Sequence, residues 1–174
     1  NPDAIDIEET LSALGELVKA GKIRHIGLSN ETPWGTMKYL QLSETKSLPR
    51  IVSIQNAYNL VNRAFEIGLS EIAHRESVGL LSYSPLGQGV LTGKYLNDQM
   101  PAGSRMALFG DGPLMLRYKK DKTVQAIQKY VDIAKKFDIE PAQLAIRFCD
   151  IQPFMTSTII GATTMDQLKT CIGS

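Results

Sequence analysis

Gly87, Gly89, Gly93 and Lys94 are the residues of this 174-residue chain whose types and spacing first suggest chemistry. They close the stretch Gly79-Leu-Leu-Ser-Tyr-Ser-Pro-Leu-Gly-Gln-Gly-Val-Leu-Thr-Gly-Lys94. Glycines let backbone N–H groups approach a ligand with no Cβ in the way. Successive N–H groups in a tight loop make an anion-binding nest, and the lysine adds a positive charge. The chemistry implied is capture of a phosphate-bearing ligand at the C-terminal end of a strand. An ordinary strand-to-helix connection with turn glycines has the same composition, and residue types alone leave both readings open.

The elements that must position such a loop follow from apolar spacing. Ile7 to Ala20 carries Ile7, Leu11, Leu14, Leu17 and Val18 at helical intervals, and Gly21 stands where a C-terminal glycine belongs. Ile23 to Leu28 reads as a strand. Pro33 opens a helix to about Thr45, Ile51 to Gln55 is a second strand, and Ala64 to Ser77 is a third helix. Gly79 to Tyr83 is a third strand, short and apolar as a buried parallel strand is. Tyr95 to Lys122 holds Pro101, Gly103, Gly110, Gly112 and Pro113 with no sustained period, and is expected to be irregular. Helices resume over Thr123–Phe137 and from Pro141 to about Asp150. Thr156 to Ile160 is a fourth strand, and another helix begins after Gly161. Asn1 to Asp6 is a polar lead-in.

Alternation of this kind predicts a parallel sheet with crossover helices. It fits a small doubly wound sheet, and it also fits half of a (β/α)8 barrel. In both, sites form at the C-terminal strand ends. Those ends are polar or glycine-rich: Ser29-Asn30, Gln55-Asn56, Tyr83-Ser84 and Gly161-Ala162-Thr163.

Composition narrows the partners. Hydrophobic residues make up 43% of the chain, enough for a sizeable core in a single domain. The 19 basic and 18 acidic residues nearly cancel, so no bulk attraction to nucleic acid or to a membrane is implied. No apolar run is long enough to span a bilayer and no signal peptide is visible. The two cysteines, Cys149 and Cys171, have no metal or redox spacing, which suits a reduced, cytoplasmic setting. The chain starts without Met and stops just after a helix has begun, so it is expected to be an interior piece of a longer protein. His25 is expected to pack at the start of its strand and His74 to lie on a solvated helix face. Trp34 is expected to pack, Tyr58 and Tyr95 have no acid–base partner by spacing, and Lys119-Lys-Asp-Lys122 reads as a solvated run.

Four motifs in order carry a family resemblance: Gly27-Leu-Ser-Asn30; Gln55-Asn56; Tyr83-Ser-Pro-Leu-Gly-Gln-Gly-Val-Leu-Thr-Gly-Lys-Tyr95; and Gly161-Ala-Thr-Thr-Met-Asp-Gln-Leu168. Together they resemble the second half of an aldo-keto reductase and, more distantly, of the potassium-channel β-subunits. The resemblance runs from about Ile7 to Ile172. It implies an α/β fold, about the second half of a (β/α)8 TIM barrel, and an NADP(H) cofactor with a small-molecule carbonyl substrate.

What the resemblance implies for residues is specific. Ser29, Asn30 and Gln55 would bond the nicotinamide carboxamide, since amides and hydroxyls both donate and accept. Tyr83 would stack on the nicotinamide ring. Ser84, Pro85, Leu86, Gly87, Gly89 and Lys94 would hold the pyrophosphate, and Ser104 and Arg105 would close over the adenosine side. Gly161, Thr163 and Gln167 would meet the adenosine ribose and its 2′-phosphate at a helix start. The family's usual Glu-Asn pair is replaced here by Thr170 and Cys171. The family's catalytic Asp, Tyr, Lys and His fall before this chain begins, so no catalytic residue and no metal ligand is assigned. Without the other half, the outer strands would be open to self-association.

Overall fold

The computed structural model describes residues 6–110 and 112–174, so all but the last residue of the Asn1–Asp6 lead-in lies outside it. The Asp6 carboxylate caps the first helix, α1 (Ile7–Lys19), accepting from the Glu8 N–H at 2.7 Å. The apolar stripe puts Leu11 in the core. Strand β1 (Ile26–Ser29) starts three residues later than the spacing predicts. The cause is local: the N–H groups of Lys22 and Ile23 both bond back to the Leu17 carbonyl, so this stretch finishes α1 rather than joining a ladder.

Helix α2 (Pro33–Thr45) has the expected bounds, with Pro33 in its first turn and the Thr32 hydroxyl accepting from Gly35 N–H at 3.1 Å. Strand β2 runs Ile51–Ala57. The expected third helix is two pieces, a 3-10 turn at Ala64–Glu66 and α3 (Leu69–Glu76). They part at Gly68, whose φ of 87° no helix can contain. Strand β3 is Gly79–Tyr83, as expected.

The interval after β3 is less irregular than its composition suggests. It folds into 3-10 turns at Gly87–Thr92 and Leu96–Asp98, then α4 (Arg105–Phe109) and α5 (Pro113–Leu116). Each piece is too short to show a period in sequence. Helices α6 (Asp121–Lys136) and α7 (Pro141–Asp150) follow, then β4 (Met155–Thr158) and α8 (Met165–Ile172). Strand β4 is therefore shifted toward the N-terminus of the Thr156–Ile160 expectation, although the Ile159 N–H still reaches the Ser82 carbonyl at 2.8 Å.

The four parallel strands form one sheet in the order β1-β2-β3-β4. β1 and β2 pair Gly27 with Ser53, Leu28 with Ile54 and Ser29 with Gln55. Gly27 lets the two strands lie close there, since a Cβ would stand 2.5 Å from Ser53 Oγ, which would have to turn away, and 3.3 Å from the Ser53 carbonyl oxygen.

The chain divides into two compact units. The first runs to Asn56 and takes in Phe65–Leu81; the second comprises Ala57–Ala64 and Ser82–Ser174. The core of the first is built on Leu11, Leu40, Ile51, Ile54, Phe65 and Leu80, each at most 2% exposed. Arg50 ties its helix ends together, donating to the Glu76 carboxylate at 3.0 Å and to the Glu76 carbonyl at 2.8 Å. The core of the second joins Val90 and Leu91 of the glycine loop to Met115, Tyr118, Ile127, Val131 and Ala145. Tyr58 stacks on Phe148 and meets Phe154 edge-on, with centroids 5.6 and 5.4 Å away. Two packing expectations fail: Trp34 is 72% exposed and His25 is exposed. His74 is exposed as expected. No helix among the described residues is long and apolar enough to cross a membrane.

Candidate cofactor site

In the first unit the polar groups stand where β1 and β2 end. Ser29 and Gln55 are register partners, and the Asn30 N–H donates to the Gln55 carbonyl at 3.0 Å. Asn30 turns there with φ 54°, a left-handed conformation that asparagine tolerates. Its amide donates to Ser29 Oγ at 3.3 Å. The Asn56 amide holds the Glu31 carbonyl at 3.1 Å and so fixes the turn from beneath. Ser29, Asn30 and Gln55 are exposed, so the structure brings these three expected residues together as one cluster of amides and a hydroxyl.

In the second unit the chain leaves β3 through Ser84, another left-handed residue at φ 55°. The glycines do something other than make an open nest. The N–H of Gly87 donates to the Ser84 carbonyl, that of Gly89 to Leu86 and that of Gly93 to Val90, at 2.9, 2.9 and 3.1 Å. These three donors are thus engaged inside the loop. The glycines supply positive φ instead, at 55°, 94° and 81°. What the loop presents is side chains. Gln88 Nε2 donates to Ser84 Oγ at 2.9 Å, and Arg105, at the start of α4, donates to Gln88 Oε1. Lys94 folds back over Gly89, with its Nζ 5.2 Å from the Tyr95 ring centroid. Tyr83 and Leu86 are half-buried and Pro85 is buried.

Ser104 and Gln167, both expected ligands, have capping roles. The Ser104 hydroxyl accepts from Ala107 N–H at 3.4 Å. Gln167 Oε1 accepts from the Thr163 N–H and hydroxyl at 2.9 and 3.1 Å, while the Thr164 hydroxyl accepts from Gln167 N–H at 3.2 Å. That reciprocal pair is a form of capping box at the start of α8. Among the described residues, none beyond its chain neighbours lies within 4 Å of where a Cβ on Gly161 would be. A groove of about 690 Å³ lies beside α6 and α7, and Gly93 and Lys94 of the glycine loop line it.

Asn59, Gln88 and Tyr118 belong to the site's framework and were not singled out by sequence. Gln88 stands between two glycines and reads as a spacer. Asn59 is polar yet 0% exposed, and Tyr118 is 5% exposed. A signal existed for Asn59: a lone amide in the apolar run Tyr58-Asn-Leu-Val61 is buried only if it is bonded.

Four parallel strands in one sheet, alternating with helices, are the architecture of an α/β barrel class. The sequence pattern of the aldo/keto reductase family matches residues 1–174, and the chain belongs to that family. It is 54% identical over 171 residues to Protein tas of Escherichia coli K12, a match covering 98% of this chain and 49% of that protein. It is 33% identical over 166 residues to the L-glyceraldehyde 3-phosphate reductase of Escherichia coli K12, covering 94% and 47%. It is 32% identical over 169 residues to a probable voltage-gated potassium channel subunit beta of Oryza sativa subsp. japonica, covering 96% and 52%. The chain spans about half the length of these relatives. The four strands accordingly make up about half of the family's (β/α)8 barrel.

Proposed function

We propose that the parent protein is an NADP(H)-dependent oxidoreductase acting on a small-molecule carbonyl or the corresponding alcohol, and that this chain is its cofactor-holding half. The bound nicotinamide supplies or accepts the hydride. The residues described here bind and orient.

The carrying observation is the side-chain series that leaves β3, Ser84 Oγ–Gln88–Arg105, with Lys94 laid over Gly89. It presents a hydroxyl and the Lys94 cation beside a buried turn, a donor set suited to a pyrophosphate, with the Arg105 cation next to them. Gly87 and Gly89 shape the turn, and Pro85 and Leu86 form its apolar wall. Ser104 and Arg105 serve the adenosine side. The open position at Gly161 leaves room for a ligand's ribose, and Thr163 and Gln167 flank the α8 start, where a 2′-phosphate is favoured. In the first unit, Ser29, Asn30 and Gln55 match a carboxamide's donors and acceptors, and Tyr83 of the second offers a ring face. The carbonyl-reducing tetrad of the family is assigned to no residue of this chain. The similarity to a potassium-channel β-subunit favours one second reading, a nucleotide-binding regulatory subunit with slow or no turnover.

Titration with NADPH, followed by its fluorescence, tests the placement. Replacing Arg105 or Lys94 by Ala is expected to weaken binding by about 1–3 kcal/mol each, the range for bonds to charged groups. Unchanged affinity in both folded variants would put the dinucleotide elsewhere.

A further inference from the structure

The side chain of Asn59 is wholly buried, and each of its polar atoms is engaged. Its Nδ2 donates to the Ser84 carbonyl at 2.8 Å and reaches the Tyr118 hydroxyl at 3.4 Å, and its Oδ1 accepts from Val61 N–H at 3.0 Å. Its own backbone is pinned, since Asn59 and Asn62 exchange both N–H···O bonds at 3.0 Å. A buried amide bonded this fully has one geometry available to it.

The group it holds is the pivot of the glycine loop. Ser84 is a non-glycine residue at φ 55°, a conformation that persists only where its surroundings over-determine it. Its carbonyl accepts two bonds, from Gly87 N–H at 2.9 Å and from the Asn59 amide. The Ser84 hydroxyl then receives Gln88, and Gln88 receives Arg105. Tyr118 closes the underside, where a Cβ on Gly87 would lie 3.4 Å from its ring. The direction in which Arg105 is presented therefore depends, bond by bond, on where Asn59 holds the Ser84 carbonyl.

We propose that Asn59 is a positioning residue for the cofactor loop, acting through the Ser84 carbonyl to set the aim of Ser84 Oγ, Gln88 and Arg105. The inference rests on the cofactor reading above for its consequence, but not for its geometry. It also says why an amide is needed. Aspartate has the same shape and still accepts from Val61, but its carboxylate faces the Ser84 carbonyl as a second acceptor.

The test is Asn59→Asp in this chain, read by amide exchange and by NADPH titration, alone and combined with Arg105→Ala. Exchange at the Gly87 amide is expected to speed up at least about tenfold, while the Val78 amide of the first unit stays protected. NADPH affinity is expected to fall about tenfold, and adding Arg105→Ala is expected to cost little more, because an Arg105 that is no longer aimed has little left to lose. Additive losses would overturn the proposal, as would Gly87 protection unchanged from that of the native chain. Uniform loss of protection would mark a merely structural residue and overturn it as well. If Asn59→Asp does not fold, Tyr118→Phe removes one of the amide's partners without changing the core's shape and is expected to show the same local pattern more weakly. If Arg105→Ala and Lys94→Ala each leave NADPH binding unchanged, it is the cofactor reading that fails, and the Gly87 exchange then decides the positioning role.

Discussion

Gly89 and Gly161 lie in the same proposed site but constrain it differently. An added Cβ at Gly89 meets Lys94 Cε at 3.2 Å and Nζ at 3.4 Å, at a φ of +94° that side chains rarely adopt. Gly89→Ala is expected to cost about 1–3 kcal/mol in thermal or urea unfolding and to push Lys94 aside. At Gly161 no described residue beyond its chain neighbours comes within 4 Å of an added Cβ. Gly161→Ala is therefore expected to leave the melting temperature unchanged and to weaken NADPH binding, a pairing that only a ligand packed against Gly161 produces. Cys149 gives a prediction of another kind. Burial first, and the neighbouring Asp150 charge second, push its thiol from 9.0 up to about 12, with the Ser82 hydroxyl opposing them. The unfolded thiol ionises near 9.0 and the folded one only near 12, so its contribution to stability is complete below about pH 9 and is lost as pH rises toward about 12. Urea unfolding across that window is expected to show a shallower decline in Cys149→Ala than in the native chain, and thiol reagents at neutral pH are expected to leave folded Cys149 unmodified. The chemistry-bearing types were legible at this scale, but the division of labour was not. Three glycines read as anion donors prove to be shapers of backbone, because whether an N–H points outward is decided by carbonyls such as that of Leu86, which composition does not place.

Helix α8 shows how one side chain can serve an element and a ligand together. Gln167 completes the cap with Thr163 and Thr164, and it is also a residue expected near the 2′-phosphate. Gln167→Glu separates the two roles. Glutamate suits that position of a capping box, and its charge complements the helix dipole, so the stability of α8 is expected to hold or rise by roughly a few tenths of a kcal/mol. The same charge beside a phosphate is expected to weaken NADPH by about 1 kcal/mol and NADH much less. Equal effects on both dinucleotides would remove the 2′-phosphate from this helix. The elements that the sequence made legible were those with their own punctuation. Pro33 and Pro141 open α2 and α7 where expected, and β3 keeps its bounds because Gly79 and Ser84-Pro85 bracket it. The misses have equally local causes. Gly68 splits one amphipathic stretch into a turn and α3, since periodicity sees the apolar residues but not the φ of 87° between them. Ile23 is apolar enough for a strand yet bonds back to Leu17. The pieces α4 and α5 are shorter than two turns, below the length at which any period can register.

For the whole molecule, the strand order puts β1 and β4 at the two outer positions of the sheet. Alternating strands and helices were enough to predict a parallel sheet, but a doubly wound sheet and half a barrel alternate alike. Only the four strand-end motifs in register told them apart, and the match over residues 1–174 agrees with them. The relatives are about twice as long as this chain, and in an eight-stranded barrel both outer strands would be paired. In a preparation of these 174 residues alone, the outer strands offer unpaired N–H and C=O groups, and Trp34, Ile67, Phe109 and Phe137 are each more than half exposed. Edges and apolar surface of this kind favour pairing with further copies, and a net charge of +1 gives little repulsion to oppose it. Sedimentation velocity on the isolated chain is expected to show self-association that increases with concentration, and NADPH affinity is expected to be far weaker than micromolar. Lysine substitutions at the exposed Thr156 and Ser157 of β4 are expected to shift the distribution toward monomer, because charge on an edge strand blocks its pairing. A monodisperse monomer that binds NADPH at micromolar concentration would show instead that four strands suffice to hold the cofactor, and that the edges are harmless as they stand.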